Sequence, residues 1–357
     1  MRRLRPVGDR ISTERRSVEP RELFPTAHSS AFYSSGTSAL AAAVQLAVKD
    51  GPAHPEVLIP AYGCPALVAA VEHAGARPRL VDLEADRPWM SLDALRAAHS
   101  PRVAAVVAVP FLGIPERLND IRRCCPTTLI EDSAQTWPGE GPRGDLVVLS
   151  FGRGKPLSVL GGGAVLSYSP IFRSTSPKTE QDAALVHRLK LSAYNLVTQP
   201  LAYGLLERLP GLSLGETRYE ALDAIRGIRR SQLDRLAPNL ERYRRRDRRI
   251  EHRIAEVVAA ADVISLPRVC NASGPFLRYP ILARDRHHAR TLEHALDGLG
   301  ATRFYGAPLP EVSGVGDRAT YTVIDEARRF AERLLTLPTH DGVTDRHVRA
   351  IGKALRG

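Results

Sequence analysis

Cysteine is scarce in this chain. Its four copies among 357 residues, Cys64, Cys124, Cys125 and Cys270, form neither a CxxC spacing nor a paired framework. Disulfides and structural zinc therefore lack support, and no metal site is expected. Lysine is also scarce, with five copies, so nearly all of the positive charge is arginine. Long apolar runs are missing too: nothing approaches the roughly 20 residues of a membrane span. The start Met1-Arg2-Arg3-Leu4-Arg5 lacks the apolar stretch of a signal peptide. The expectation is a soluble, cytoplasmic protein with no membrane partner.

Charge of one sign is in surplus, at +11. The densest basic run, Arg244-Arg245-Arg246-Asp247-Arg248-Arg249, lies in a segment where Leu233, Leu236, Leu240, Tyr243, Ile250 and Ile254 recur at mostly helical spacing. The arginines then fit a solvated helix face, and no nucleic-acid partner is expected. Attraction of an anionic substrate or cofactor accounts for the surplus better.

A chain of this length with 43% apolar residues can bury one large α/β core and a smaller lobe. From Thr37 to Leu166, strand-like runs (Val57–Ile59, Arg79–Val81, Val103–Val109, Thr128–Ile130, Leu146–Phe151, Ala164–Leu166) alternate with helical patterns (Thr37–Val48, Pro65–Ala74, Leu92–Ala98, Glu116–Cys124). This alternation predicts an α/β fold with a mainly parallel sheet sandwiched by helices, whose ligands sit beyond the carboxyl ends of the strands. After the basic helix, expected over 231–260, a strand at Phe276–Leu282 and helices at Ala289–Leu299, Asp325–Leu334 and Asp345–Leu355 predict a smaller α+β lobe.

Three stretches carry chemistry. Ser34-Ser35-Gly36-Thr37-Ser38-Ala39-Leu40 places hydroxyls and a glycine at the start of an apolar helix, where free N–H groups make an anion site; a plain serine N-cap reads the same way. Thr128-Leu129-Ile130-Glu131-Asp132-Ser133-Ala134-Gln135 ends a buried-looking strand in two acids, and Asp132 is the candidate partner for a protonated ring nitrogen. Leu149-Ser150-Phe151-Gly152-Arg153-Gly154-Lys155-Pro156, followed by Gly161-Gly162-Gly163, delivers one lysine on a loop after a strand, where its amine can form a Schiff base.

Taken in this order, SSGTSAL, IEDSAQ and SFGRGK-x5-GGG resemble the DegT/DnrJ/StrS family of sugar aminotransferases, fold-type-I pyridoxal-phosphate enzymes. Val57-Leu58-Ile59-Pro60-Ala61-Tyr62 through Ala74-Gly75-Ala76-Arg77-Pro78, and Leu337-Pro338-Thr339-His340 with Thr344-Asp345, extend the likeness. The resemblance implies pyridoxal 5'-phosphate as cofactor, Lys155 as its Schiff-base lysine and Asp132 on the ring nitrogen. It places Gln135 on the phenolic oxygen, and Gly36, Thr37, Ser38 and Ser150 around the phosphate. It also implies a homodimer with shared active sites, an arm at 1–30, a large cofactor-binding domain at 31–230 and a small domain at 231–357.

The sequence departs from the family at several points. Cys64 stands where an aromatic ring usually stacks on the cofactor, with Tyr62 as the substitute two residues earlier. Gly152 replaces a histidine, Gly161 replaces an acid, and Glu216 stands where an asparagine reaches the neighbouring subunit's phosphate. The activity implied is transfer of an amino group from an amino-acid donor to a keto acceptor, such as a nucleotide-linked keto-sugar or another biosynthetic intermediate. The alternatives are a diverged regulatory member of the fold or a pyridoxal-phosphate enzyme of another reaction type. Sugar dehydratases of the family carry histidine in place of the lysine, so Lys155 argues against that variant.

Overall fold

The computed structural model describes residues 3–5, 7–138, 141–199, 203 and 217–357. Seven strands form the main sheet: β1 (Ser29–Tyr33), β2 (Glu56–Pro60), β3 (Arg77–Val81), β4 (Val103–Ala108), β5 (Thr128–Asp132), β6 (Leu146–Ser150) and β7 (Gly163–Ser167). Their order is β1-β7-β6-β5-β4-β2-β3. Strands β3, β2, β4, β5 and β6 are mutually parallel; β7 is antiparallel to both β6 and β1, so β1 runs with the majority. This is the mainly parallel α/β sheet that the alternation predicts.

Every residue of β2, β4 and β7 is buried. Strands covered on both faces read as unbroken apolar runs, and Val103-Ala-Ala-Val-Val-Ala108 is such a run. The helix Gly36–Val48 buries Ser38 through Val44 without interruption. Its Ala-rich sequence has little side-chain bulk, so it can lie deep against the sheet between strands β1 and β2 in the chain.

A second sheet holds β8 (Ile264–Ser265), β9 (Arg278–Leu282) and β10 (Leu334–Pro338) in the order β10-β9-β8, all antiparallel. Helices Arg249–Ala259, Arg286–Ala295, Asp325–Arg333 and Asp345–Leu355 accompany it, and the smaller α+β lobe has the composition expected. The basic segment differs from its reading as one helix. It is three pieces, Arg230–Leu233, Leu236–Arg244 and Arg249–Ala259. Pro238 would clash with the carbonyl of residue 234 in a continuous helix, and it sits instead in the first turn of the second piece, where proline is tolerated. The second break falls at Asp247, whose carboxylate accepts the Arg249 N–H at 2.8 Å and starts the third piece.

The N-terminal arm is stitched to distant parts of the chain. Leu4 N–H donates to the Gly298 carbonyl at 3.0 Å and Arg16 N–H to that of Asp234 at 2.7 Å. The Arg5 guanidinium, almost wholly buried, donates to Asp341 at 2.7 Å, while His340 Nε2 donates to the Arg5 carbonyl at 2.9 Å.

Candidate active site

The carboxyl ends of β1, β5 and β6 meet the amino end of β7, with Tyr33 and Ser150 both registered against Gly163. The helix Gly36–Val48 starts at this edge. Its N-cap is Ser35, whose hydroxyl accepts the Ser38 N–H at 3.0 Å. A helix start leaves its first N–H groups without intrahelical partners, so those of this first turn point toward the strand ends. Gly36 lies so close to β6 that a Cβ there would sit 2.6 Å from Ser150 Oγ. Only glycine permits this approach.

Around that contact is a cavity of about 220 Å³. Its walls bring together Gly36, Thr37, Cys64, Asp132, Gln135, Ser150 and Lys155, which the sequence places on four separate segments. Two expected residues are not in the wall. Ser38 is buried with its hydroxyl against those of Ser35 and Ser34, at 3.0 and 3.4 Å. Tyr62 is buried behind the site, where it donates to the Arg303 carbonyl at 3.2 Å and accepts the Tyr305 N–H at 3.3 Å. Glu216 lies outside the described residues.

Asp132 is buried at the end of β5 and accepts the Ala134 N–H at 3.0 Å. Burial pushes its carboxyl above the ordinary carboxylate range, and the Lys155 ammonium pulls it part of the way back. The Cys64 thiol is raised by burial and opposed by Lys155 in the same manner. Both side chains therefore sense the charge of the same amine. The neighbouring acid Glu131 is turned away, taken up by the Ser133 hydroxyl at 2.8 Å and the Gly144 N–H at 3.1 Å.

Sequence reasoning missed Tyr305, which lines the cavity and accepts a hydrogen bond from the Gln135 amide at 2.5 Å. The Gln135 carbonyl accepts the Leu112 N–H at 2.9 Å. Burial holds the Tyr305 phenol protonated far above its usual range. Nothing in the surrounding Phe304-Tyr305-Gly306 marks it, since its role comes from a contact across 170 residues. At Gly161, where the family carries an acid, a side chain would collide with the amide of Gln232, and the backbone has φ +150°.

Lys155 also lines a second, larger cavity of about 640 Å³, and is the one described residue shared by the two. Arginines dominate the larger one. The arrangement thus offers an amine, a buried carboxyl and a helix start around one small cavity. Such a set can bind a carbonyl covalently, pair with a ring cation and hold a phosphate. A run with the glycine spacing of a dinucleotide-binding loop, at 139–144, is followed by strand β6 and not by a helix, so it lacks the context that loop requires.

A large parallel sheet with its cavity at the strand ends and a smaller antiparallel lobe define the class: a fold-type-I transferase. Solved structures share this fold. A putative sugar aminotransferase, Spr1654 from Streptococcus pneumoniae in its PMP form, has a TM-score of 0.71 at 18% identity over 96% of this chain and 92% of that one. The sugar aminotransferase CalS13 from Micromonospora echinospora has a TM-score of 0.68 at 22% identity over 100% and 99%. A UDP-N-acetyl-3-dehydro-alpha-D-glucosamine 3-aminotransferase from Acidithiobacillus ferrooxidans is 26% identical over 332 residues, 90% of this chain and 82% of its own. Residues 21–356 match the DegT/DnrJ/EryC1/StrS aminotransferase family, and the chain belongs to it. It is an aminotransferase of a pyridoxal-phosphate-dependent family. Among the described residues, no helix is long and apolar enough to cross a membrane.

Proposed function

We propose that the protein moves an amino group from an amino-acid donor to a nucleotide-linked keto-sugar, with Lys155 as the Schiff-base lysine. The observation that carries this reading is the single cavity faced by Lys155, Asp132 and the Gly36–Ser150 contact. The acceptor class follows from the curated relative, whose name gives a UDP-linked dehydro-sugar as its substrate. Bound pyridoxal phosphate supplies an electron sink that acidifies a carbon-bound hydrogen of the donor.

This chain's residues would do the rest. Gly36, Thr37 and Ser150 would hold the phosphate, with the free N–H groups of the helix start favouring its charge. The Asp132 carboxylate would pair with the protonated ring nitrogen, which gives that buried acid the cation it otherwise finds only in Lys155. Lys155 Nζ would take a proton from one carbon and return it to another. Gln135 would reach the phenolic oxygen, and Tyr305 fixes the amide that does so. Cys64, which lines the cavity, would leave room beside the cofactor where a larger side chain would stack. We propose further that the enzyme is a homodimer with shared active sites, built from an arm at 1–30, a cofactor-binding domain at 31–230 and a small domain at 231–357.

The visible spectrum of the purified protein tests cofactor, chemistry and donor together. A cofactor band that bleaches when L-glutamate or another amino acid is added, and returns with a keto acceptor, is the expected result. A protein without such a band after reconstitution, or a band that no donor changes, overturns the reading.

A further inference from the structure

We propose that Arg10, Arg245 and Arg246 form an anion site in the larger cavity beside Lys155, and that it takes a phosphoryl or diphosphoryl group of a substrate. This deepens the reading above, since it supposes that Lys155 is where the substrate reacts.

The case starts from the charges around that cavity of about 640 Å³. Four carboxylates line it, and each is already engaged. Asp341 accepts from Arg5 at 2.7 Å, from Arg242 at 3.3 Å and from the Arg10 backbone N–H at 2.9 Å. Asp345 is paired with Arg253 at 2.6 Å, and Asp247 with Arg249 at 3.7 Å. Asp9 accepts the Asp341 N–H at 2.9 Å. Among the described residues, the guanidiniums of Arg10 and Arg245 then have no carboxylate partner, and neither has that of Arg246, which reaches the Phe276 carbonyl at 3.5 Å and lies over the Tyr243 ring, 5.8 Å from its centroid.

Unpaired arginines on a convex surface are ordinarily just solvated. These three differ in their placement. Arg10 comes from the N-terminal arm, while Arg245 and Arg246 come from the turn that ends helix Leu236–Arg244. The two segments, far apart in sequence, converge on one concavity, where like charges focus their field and raise the local concentration of anions. Guanidinium groups match phosphate oxygens in geometry, and three unpaired cations suit a group with two or more charges better than a lone carboxylate. The volume also fits a ligand well beyond an amino acid in size. Ile11, Tyr243, Ile250 and Val343 give the same cavity apolar wall for the remainder of such a molecule.

Two substrate anions could occupy the site: the phosphoryl group of the acceptor or the distal carboxylate of the donor. Calorimetric titration of the cofactor-loaded protein with inorganic pyrophosphate and with glutarate separates them. Wild type should bind pyrophosphate at least tenfold more tightly than glutarate, with affinity falling as salt rises. The double variant Arg245→Ala/Arg246→Ala should lose at least tenfold in pyrophosphate affinity and most of the preference, and Arg10→Ala should lose a smaller factor. Arg10 and Arg245 are exposed and Arg246 half-buried, so these variants should fold, and an unchanged unfolding midpoint checks it. Equal pyrophosphate affinity in wild type and double variant overturns the proposal, as does a wild type with no preference; a parallel loss for glutarate assigns the site to the donor instead. The titration needs no turnover, so its failure is separate from a failure of the donor-induced spectral change.

Discussion

The Gln135 amide donates to the Tyr305 hydroxyl at 2.5 Å, tying the exit of strand β5 to the turn that follows Thr302, itself bridged to Thr336 of β10. Tyr305 is in turn fixed from behind by Tyr62, whose oxygen accepts its backbone N–H. Tyr305→Phe removes the acceptor and leaves the Gln135 amide unpaired in a buried wall. The expected outcome is a stability loss of about 1–2 kcal/mol and a shifted cofactor absorption maximum, both read on the reconstituted variant. An unchanged spectrum would place Gln135 away from the cofactor's oxygen.

Lys155 follows β6 by a short loop, and its charge is felt by both Asp132 and Cys64. Borohydride reduction and peptide mapping should find the cofactor adduct on Lys155, and Lys155→Ala should show none. An adduct on Lys190 would sink the assignment.

Replacing Asp132 by asparagine keeps the shape of the site but removes the anion that holds a ring proton. The cofactor should stay bound while turnover falls roughly 100-fold, the size of a lost charged hydrogen bond of about 3 kcal/mol. Near-normal rates would point to another acid. Glu131 is a poor substitute because Ser133 and Gly144 already hold it.

Gly36→Ala tests the phosphate cradle. The new methyl would lie 2.6 Å from Ser150 Oγ, so the helix start and the strand end must part. Cofactor affinity, measured by titrating cofactor-free protein, should drop at least tenfold, with a stability cost of roughly 1–3 kcal/mol from overpacking. Retained affinity would show that the approach of Gly36 to β6 is unrelated to phosphate binding.

His340 provides a pH prediction. It is buried, its Nδ1 accepts the Gly342 N–H at 3.0 Å, and burial reinforced by the Arg5 charge lowers its pKa to about 3 from 6.5. Asp341 beside it acts in the opposite direction. The unfolded chain binds this proton more readily than the folded one, so the stabilisation is complete above pH 6.5 and is lost as pH falls toward 3. Unfolding midpoints should therefore decline from pH 6.5 to 4, and His340→Gln should flatten that slope while lowering stability at pH 7. Identical slopes would place the acid sensitivity elsewhere.

How far the sequence spoke depended on whether a signal was local. Val103–Ala108 and Leu92–Ala98 are legible because an apolar run or a helical repeat is a property of adjacent residues. Strand β1 is not, because its short Ala31-Phe32-Tyr33 core becomes a strand only by pairing with β7, more than a hundred residues later in the chain. The site divides in the same way. Gly36, Asp132 and Lys155 sit in motifs with their own context, whereas Tyr305 owes its place to Gln135 and Tyr62. Ser38 has the right residue type in the right motif, yet the helix turns its hydroxyl inward to Ser35.

The stitched N-terminal arm has a consequence for how the chain is made. Its partners Asp234, Asn239, Gly298 and Asp341 are all translated hundreds of residues after it. This segment is thus seated only once much later stretches of the chain are in place, since the Arg5 guanidinium spans the Thr198 carbonyl and Asp341 and the Arg10 N–H also meets Asp341. Because long-range closure is slow to form, a cell would complete the sheet and its small cavity before the larger one gained its arm. Newly synthesised protein would pass through a stage in which the Lys155 side of the molecule is assembled but the wall carrying Arg10 is not.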